Sequence, residues 1–458
     1  MQEKFVLIEK TVGDLLEQKK FTTLRDILIT LNPADAAALF SDLEERQLPL
    51  LFRLLPKEMA AETFVEMEPD QQELLIRSFS DNELREVLDE LYADDAAALV
   101  EEMPANVVKR VLKNTNPEMR SAINMILRYP DNSAGSIMTT EYVSLRPDMT
   151  VEDSILRIRR QGIDKETIYT CYVTEGRKLL GFVTVKDLLL CENDETPIRD
   201  IMSTNVITVT THTDKEEVAK MLSHYNFLAL PVVDAENRMV GIVTFDDAMD
   251  VLEEETSEDM ALMGGMLPSE KTYLKSSAFS LFKNRIPWLL LLMVSATFTG
   301  MIITSFEGAL AAQAALTAFI PMLMGTGGNS GSQSSVTVIR ALSLDELRIG
   351  DLPRVIWKEI RTAVLCGAVL AVVCFGKIWL VDGILLGNPG ITHAVNAVVC
   401  LALFVTVLAA KLVGAALPLL AKAIGLDPAV MASPFITSIV DALSLLVYFL
   451  FAKMLLGV

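Results

Sequence analysis

Asp441 stands inside an otherwise apolar run, SIVDALSLLVYFLF. A carboxylate at such a position costs several kcal/mol unless something compensates it. One compensation is structural, an ion pair with Lys411 in the preceding apolar stretch. The other is functional: a carboxylate offers hard oxygen to a cation in transit. Mg²⁺ sheds water reluctantly and is held by few carboxylates through its hydration shell. One Asp per chain, doubled across a two-fold axis, would therefore suit a hydrated divalent ion.

Two further groups of residues carry chemistry. The first is Gly325-Thr326-Gly327-Gly328-Asn329-Ser330-Gly331-Ser332-Gln333-Ser334-Ser335, preceded by Pro321, within another apolar stretch. It reads either as a small-residue face for close helix packing or as a broken helix whose freed oxygens line a pore, because unpaired backbone at membrane depth must meet a cavity or protein. It lacks the lysine of a phosphate-binding loop. The second group is acidic: Asp246, Asp247, Asp250, Glu253, Glu254, Glu255, Glu258 and Asp259. Positions 247, 250 and 254 share one helix face, and 255, 258 and 259 another. Such a run is often only a solvated face. Asp94-Asp95 and Asp214-Lys215-Glu216-Glu217 add to it, and so many carboxylates repel one another without counter-ions. Bridging Mg²⁺ would relieve that repulsion and make a sensor.

Composition separates two halves. Up to Arg285 there are 31 basic and 52 acidic residues; from Ile286 onward there are 9 and 8. The acidic half repels nucleic acid and anionic lipid and attracts metal cations, so no nucleic-acid partner is expected. The five cysteines form no C-x-x-C pair, and there are three histidines, so neither a disulfide framework nor a soft transition-metal site is indicated. The opening MQEKFVLIEK has no long apolar core, and no signal peptide is expected.

Five stretches are long and apolar enough to span a bilayer, at about 286–306, 309–342, 361–381, 391–421 and 429–457. Arg340, Arg348, Arg354, Lys358 and Arg361 lie in one connection, whereas the turn at 305–309 carries only Glu307. The positive-inside rule puts that basic connection in the cytoplasm. Lys271, Lys275, Lys283 and Arg285 ahead of the first span agree. The acidic half is then cytoplasmic and the C-terminus lies outside, in a multi-pass protein of the plasma membrane.

The acidic half contains repeats. Ile137-Met138-Thr139-Thr140 is echoed by Ile201-Met202-Ser203-Thr204, and LGFVTVKD at 180–187 by VGIVTFDD at 240–247. Two copies of about 60 residues with strand–helix–strand–strand–helix patterning resemble a tandem pair of CBS domains. In that family the Thr and Asp of the turn often hold a nucleotide ribose, though many copies bind none. Thr184 and Asp187, with Tyr169, are the candidates here, with ATP the candidate nucleotide. Residues before about 130 read as short amphipathic helices. Asp35-Ala36-Ala37-Ala38-Leu39 recurs as Asp95-Ala96-Ala97-Ala98-Leu99, which suggests a small helical solenoid.

Together these residues resemble the MgtE-type magnesium transporters over nearly the whole chain. The most specific matches are Pro321 with GTGGNSGSQ, and Leu426-Asp427-Pro428-Ala429, Ser433-Pro434 and Asp441. The resemblance implies a homodimer in the bilayer with its pore on the two-fold axis. It implies Asp441 as the pore carboxylate, oxygen from Gly328 and Asn329 nearby, and Asp427 at the cytoplasmic end. It further implies that Asp214, Glu216, Asp247, Asp250, Glu255, Glu258 and Asp259 hold regulatory Mg²⁺; Asp94 and Asp95, around which the chain departs from the family's pattern, join them as candidate ligands on their charge. Asn226 departs from the pattern, which has an acidic residue there.

The expected architecture is multidomain. An α-helical superhelical N domain (1–130) precedes α/β tandem CBS domains (131–256), a connecting helix (257–285) and an all-α membrane domain of five transmembrane helices (286–458). The expected function is Mg²⁺ uptake, shut by cytosolic Mg²⁺, with no enzymatic activity. An anion channel would want basic pore helices and more spans. An intramembrane enzyme would want a Ser/His or His/Asp pair in the spans. The nearest rival is the same fold carrying Co²⁺, Mn²⁺ or Zn²⁺.

Overall fold

The computed structural model describes residues 2–457 apart from 42, 270–272, 275 and 387–389, and divides into two compact units, Met1–Glu253 and Glu254–Val458. In the first unit, the described residues from Gln2 to Ile126 form ten helices. Side-chain caps start several of them. Ser80 and Glu83 make a reciprocal capping box, and Asn116 accepts from the Met119 amide. Alternate helices stack: Pro33–Ser41 packs on Lys57–Val65, which packs on Asp81–Leu88, which packs on Ala105–Asn114. This next-but-one stacking is how helix pairs of a solenoid pack. Ala36, Ala37 and Leu39 are buried, as are Ala96, Ala97 and Leu99, so both copies present the same face to one continuous core.

Two three-stranded sheets follow, β1 (Tyr142–Leu145), β2 (Thr167–Glu175) and β3 (Lys178–Thr184), then β4 (Val209–Thr210), β5 (Ala229–Val233) and β6 (Met239–Thr244). In each the first pair is parallel and the second antiparallel. The two repeats lock reciprocally. A Cβ on Gly181 would lie 2.5 Å from the Ser203 carbonyl oxygen, and one on Gly241 would lie 2.5 Å from that of Thr139. Backbone bridges join Phe182 to Ser203 and Thr139 to Ile242. The glycine of each LGFVT-like motif therefore exists to let the other copy's Ile-Met-(Thr/Ser)-Thr turn approach.

Helix α1 (Phe245–Met263) begins at the end of β6, straddles the division between units and stops at Gly264-Gly265, where Gly265 has φ +68°. The connecting helix was expected over 257–285. It instead starts a dozen residues earlier and ends before 264, because glycine in the left-handed region terminates it. Residues 270–272 and 275, which include Lys271 and Lys275, lie outside the described part.

The second unit holds five long helices: α2 (Ala278–Ser305), α3 (Ile320–Ser343), α4 (Leu352–Lys377, continued by π-helical Ile378–Leu385), α5 (His393–Ala423) and α6 (Ser433–Leu456). Among the described residues, four stretches are long and apolar enough to cross a membrane; α3 is not among them. Its Gly- and Ser-rich run lowers its hydropathy. It starts at Ile320 rather than near 309, after a short helix and a 3₁₀ turn. α3, α5 and α6 pack mutually, and α4 packs on α5.

Candidate ion path and acidic sensor

In the first unit, folding brings Asp94, Asp95, Asp246 and Asp247 close enough to interact electrostatically, and adds Glu166, which precedes β2. Asp94 and Asp95 open a helix (Ala93–Glu102); Asp247 sits in the first turn of α1. One Asp94 oxygen (Oδ1) and one Glu166 oxygen (Oε2) are buried with no hydrogen-bond partner. Burial first, then the negative charge of Asp247, pushes the carboxyl of Glu166 up to about 8. The same two causes push Asp95 up to about 7 and Asp94 well above the usual carboxylate range. Asp247 is raised chiefly by burial, against the Thr244 hydroxyl that donates to it. Unpartnered buried oxygens in a field of like charge fit a divalent cation, which would replace protons there. Among the described residues no three carboxylate, His or Cys side chains converge as a finished metal site. The arrangement is an open cluster that water would have to complete around the ion, as Mg²⁺ prefers.

The other expected regulatory residues of the first unit border that cluster or engage other partners. Asp214 caps helix Lys215–Tyr225 by accepting from the Glu216 amide at 2.9 Å, and Glu216 pairs with Lys220 at 2.7 Å. Asp250 adds negative charge near Asp247. In the second unit Asp259 accepts from Ser343 of α3 at 3.1 Å. Glu255 is half-buried and Glu258 exposed. Glu166 was missed. Asn226, where an acid was expected, ends its helix as Gly162 ends the matching helix of the first repeat, 64 residues earlier. Asn226 has φ +55° and ends its helix in the left-handed region, which asparagine tolerates and glutamate does not.

The CBS turns are built alike. Thr184 and Asp187 form a capping box in which one Asp187 oxygen (Oδ2) accepts from both the amide and the hydroxyl of Thr184. Asp187 is exposed, and among the described residues its second oxygen accepts no hydrogen bond. The exposed Tyr169 ring lies on the neighbouring strand β2. A free carboxylate oxygen and an open aromatic face fit a ribose hydroxyl and a stacked base.

In the second unit α3 is continuous through Gly325–Ser335. The broken-helix expectation is overturned, because the helix spends its own carbonyls on backbone hydrogen bonds. The small-residue expectation holds on one face: a Cβ on Gly328 would lie 2.9 Å from Thr437, and one on Gly327 would lie 2.7 Å from Ser444. Gly331 lies so close to α5 that a Cβ on Gly414 would collide with its carbonyl oxygen. The opposite face keeps Gly325, Asn329 and Gln333 exposed, so side-chain amides rather than backbone oxygens are on offer.

Asp441 on α6 is half-buried, and among the described residues it makes no ion pair or hydrogen bond. Thr437 and Ser444, one turn to either side of it, are the residues seated on Gly328 and Gly327. Lys411 is not its partner. That lysine is 4% exposed and donates to Ser334 at 3.4 Å, while Ser334 donates to Glu359 of α4 at 2.7 Å. Asp427 is exposed and caps the turn Pro428–Met431 by accepting from the Ala429 amide at 2.7 Å.

An acidic helical domain, a CBS-like pair and a helical bundle with an uncompensated carboxylate define a regulated membrane transporter of a metal cation. Comparison with known proteins narrows that class. The family described as divalent cation transporter matches residues 320–451, the MgtE intracellular N domain matches 31–132, and CBS domains match 134–192 and 198–254. The magnesium transporter MgtE of Thermus thermophilus is 36% identical over 460 residues, covering 100% of this chain and 99% of that one. The MgtE of Bacillus subtilis is 36% identical over 72% of this chain and 70% of its own. A crystal structure of the cytosolic domain of the Mg²⁺ channel MgtE in complex with ATP matches with a TM-score of 0.51 at 36% identity, covering 53% of this chain and 99% of that chain. The chain belongs to the MgtE family of magnesium transporters, which are membrane transport proteins and not enzymes.

Proposed function

We propose that this protein carries Mg²⁺ into the cell along a path centred on Asp441 and closes when cytosolic Mg²⁺ occupies the acidic cluster. One observation carries the reading: a half-buried carboxylate in an apolar helix with no counter-ion among the described residues. Such a group persists in a membrane when a cation or its water compensates it. The family's members named for magnesium supply the ion; the hard oxygens favour it over Zn²⁺. A homodimer would place two Asp441 carboxylates on its axis, with Gly328 and Asn329 beside them and Asp427 toward the cytoplasmic end. The basic 340–361 connection supports a cytoplasmic N-terminal unit and an outside C-terminus.

The sensor in this reading is Asp94, Asp95, Glu166 and Asp247, with Asp250, Asp214, Glu216, Glu255, Glu258 and Asp259 as further ligands. Nucleotide, ATP by similarity to the ATP-bound relative, would lie at Tyr169, Thr184 and Asp187. Mg²⁺ flux into liposomes tests the path. Asp441→Ala abolishes flux while melting like the parent, and Asp441→Asn retains more flux than Ala. Normal uptake by folded Asp441→Ala would overturn the assignment. Preferred uptake of Co²⁺ or Mn²⁺ in competition would overturn the choice of ion.

A further inference from the structure

Near one end of the second unit three sulfurs from three helices come together. Met322 stands in the first turn of α3, Cys374 in the last turn of α4, and Cys400 two turns into α5. The Cys374 thiol lies 3.9 Å from the Met322 sulfur, and the thiols of Cys374 and Cys400 are close enough to interact. The Cys400 thiol also donates to the Asn396 side-chain oxygen (Oδ1) at 3.4 Å. Asn396 is itself buried, and its Nδ2 donates to the Phe375 carbonyl at 3.3 Å. That bond fixes which end of the amide faces the sulfurs. Both cysteines are buried and free, and Met322 is half-buried.

Two thiols, a thioether and an amide oxygen make a soft donor set without a carboxylate. It does not suit Mg²⁺, which prefers hard oxygen. Nor does it suit Zn²⁺, which in closed sites takes four ligands from Cys, His or carboxylate. Thiolate and thioether together favour copper(I). A metal–sulfur bond is about 2.3 Å long, so two sulfurs at 120° on one ion stand about 4 Å apart. The Cys374–Met322 pair already has that spacing. We propose that Cys374, Cys400 and Met322 bind a soft monovalent cation of the copper(I) class. Each thiol gives its proton to water as it coordinates, since the thiolate is the ligand. The site contains none of the residues assigned to the Mg²⁺ path, and an ion in it ties α3, α4 and α5 together. No sequence motif reveals it, because Met322 and Cys374 are 52 residues apart.

The test uses the full chain in detergent and Ag⁺, which shares the ligand preference of copper(I) and needs no reductant. Thiols are first counted in the denatured chain, which has five cysteines. Native protein is then dialysed against Ag⁺ in excess glutathione, and the silver retained per chain is measured. A single thiol such as Cys191 has no advantage over glutathione, whereas a set of linked ligands does. One retained Ag⁺ per parent chain is expected. Cys374→Ser/Cys400→Ser abolishes retention, and Cys374→Ser alone lowers the apparent affinity by at least about a hundredfold, the gain that a second linked ligand confers. Met322→Leu lowers it by a smaller factor, and Cys191→Ser leaves it unchanged. If the serine variants fail to fold, Met322→Leu, which conserves volume, carries the test with Met324→Leu as its unaffected control. Absence of retained silver in the parent overturns the proposal, as does retention that survives loss of both thiols. A parent chain two thiols short of five also overturns it, since the pair would then be a disulfide.

Discussion

Glu166 and Asp94 each hold a buried oxygen without a donor, and this makes protons and Mg²⁺ competitors. Both carboxyls are raised; for Glu166, at about 8, the favourable contribution is complete below about pH 4, where both states are neutral, and fades as pH rises through about 8. Above that window the cluster is ionised and repels itself unless a cation enters. The Mg²⁺ concentration that half-protects the chain from proteolysis should therefore fall as pH rises from 6 to 8. An unchanged midpoint would mean that these groups do not hold the ion. Glu166→Gln removes the repulsion. It should stabilise the Mg²⁺-free protein by about 1–2 kcal/mol at pH 8, after allowing for solvent screening, and by progressively less toward pH 4. Denaturant unfolding at the two pH values measures the difference.

Glycine placement decides how elements meet. Gly181 and Gly241 admit the opposite repeat's entry turn, and Gly331 with Gly414 lets α3 and α5 touch backbone to backbone. The obstacle at Gly414 is backbone, which cannot rotate away as a side-chain tip would. Gly414→Val should cost several kcal/mol and lower the melting temperature of the detergent-solubilised protein. Gly300→Ala, where nothing lies within 4 Å, should leave it unchanged. The unbroken course of α3 also bears on permeation. Its offering to an ion is the exposed amide ladder of Asn329 and Gln333, so Asn329→Ala should reduce flux more than Ser330→Ala, whose side chain is buried.

For the whole molecule the governing feature is a net charge of −20, made of −21 before Ile286 and +1 after it. A site of about 1 mM affinity supplies about 4 kcal/mol of standard binding free energy, but only the difference in affinity between closed and open states moves a gate. Shifting a gate from 1:99 to 99:1 takes about 5.5 kcal/mol, so several weak sites must act together and closure should be steep in Mg²⁺. Neutralising Asp247, Asp250, Glu255 and Glu258 together should leave flux open at millimolar Mg²⁺. Closure of that variant at the parent's midpoint would place the sensor elsewhere.

The sequence by itself determined the order of modules, the tandem repeat, the apolar stretches and the isolation of Asp441, because hydropathy, charge and periodicity are local and survive unfolding. It also carried the motifs that tie the chain to its family. Only the tertiary structure decided which acids share one field. Glu166 joins Asp94 and Asp247 through contacts spanning some 70 to 150 residues of chain, whereas Asp214 and Glu216, equally acidic, are held by a helix cap and Lys220. Lys411 likewise looked like a counter-ion for Asp441. Packing turned it toward Ser334 and Glu359, because α3, lined with glycine, comes close enough to α5 to receive it.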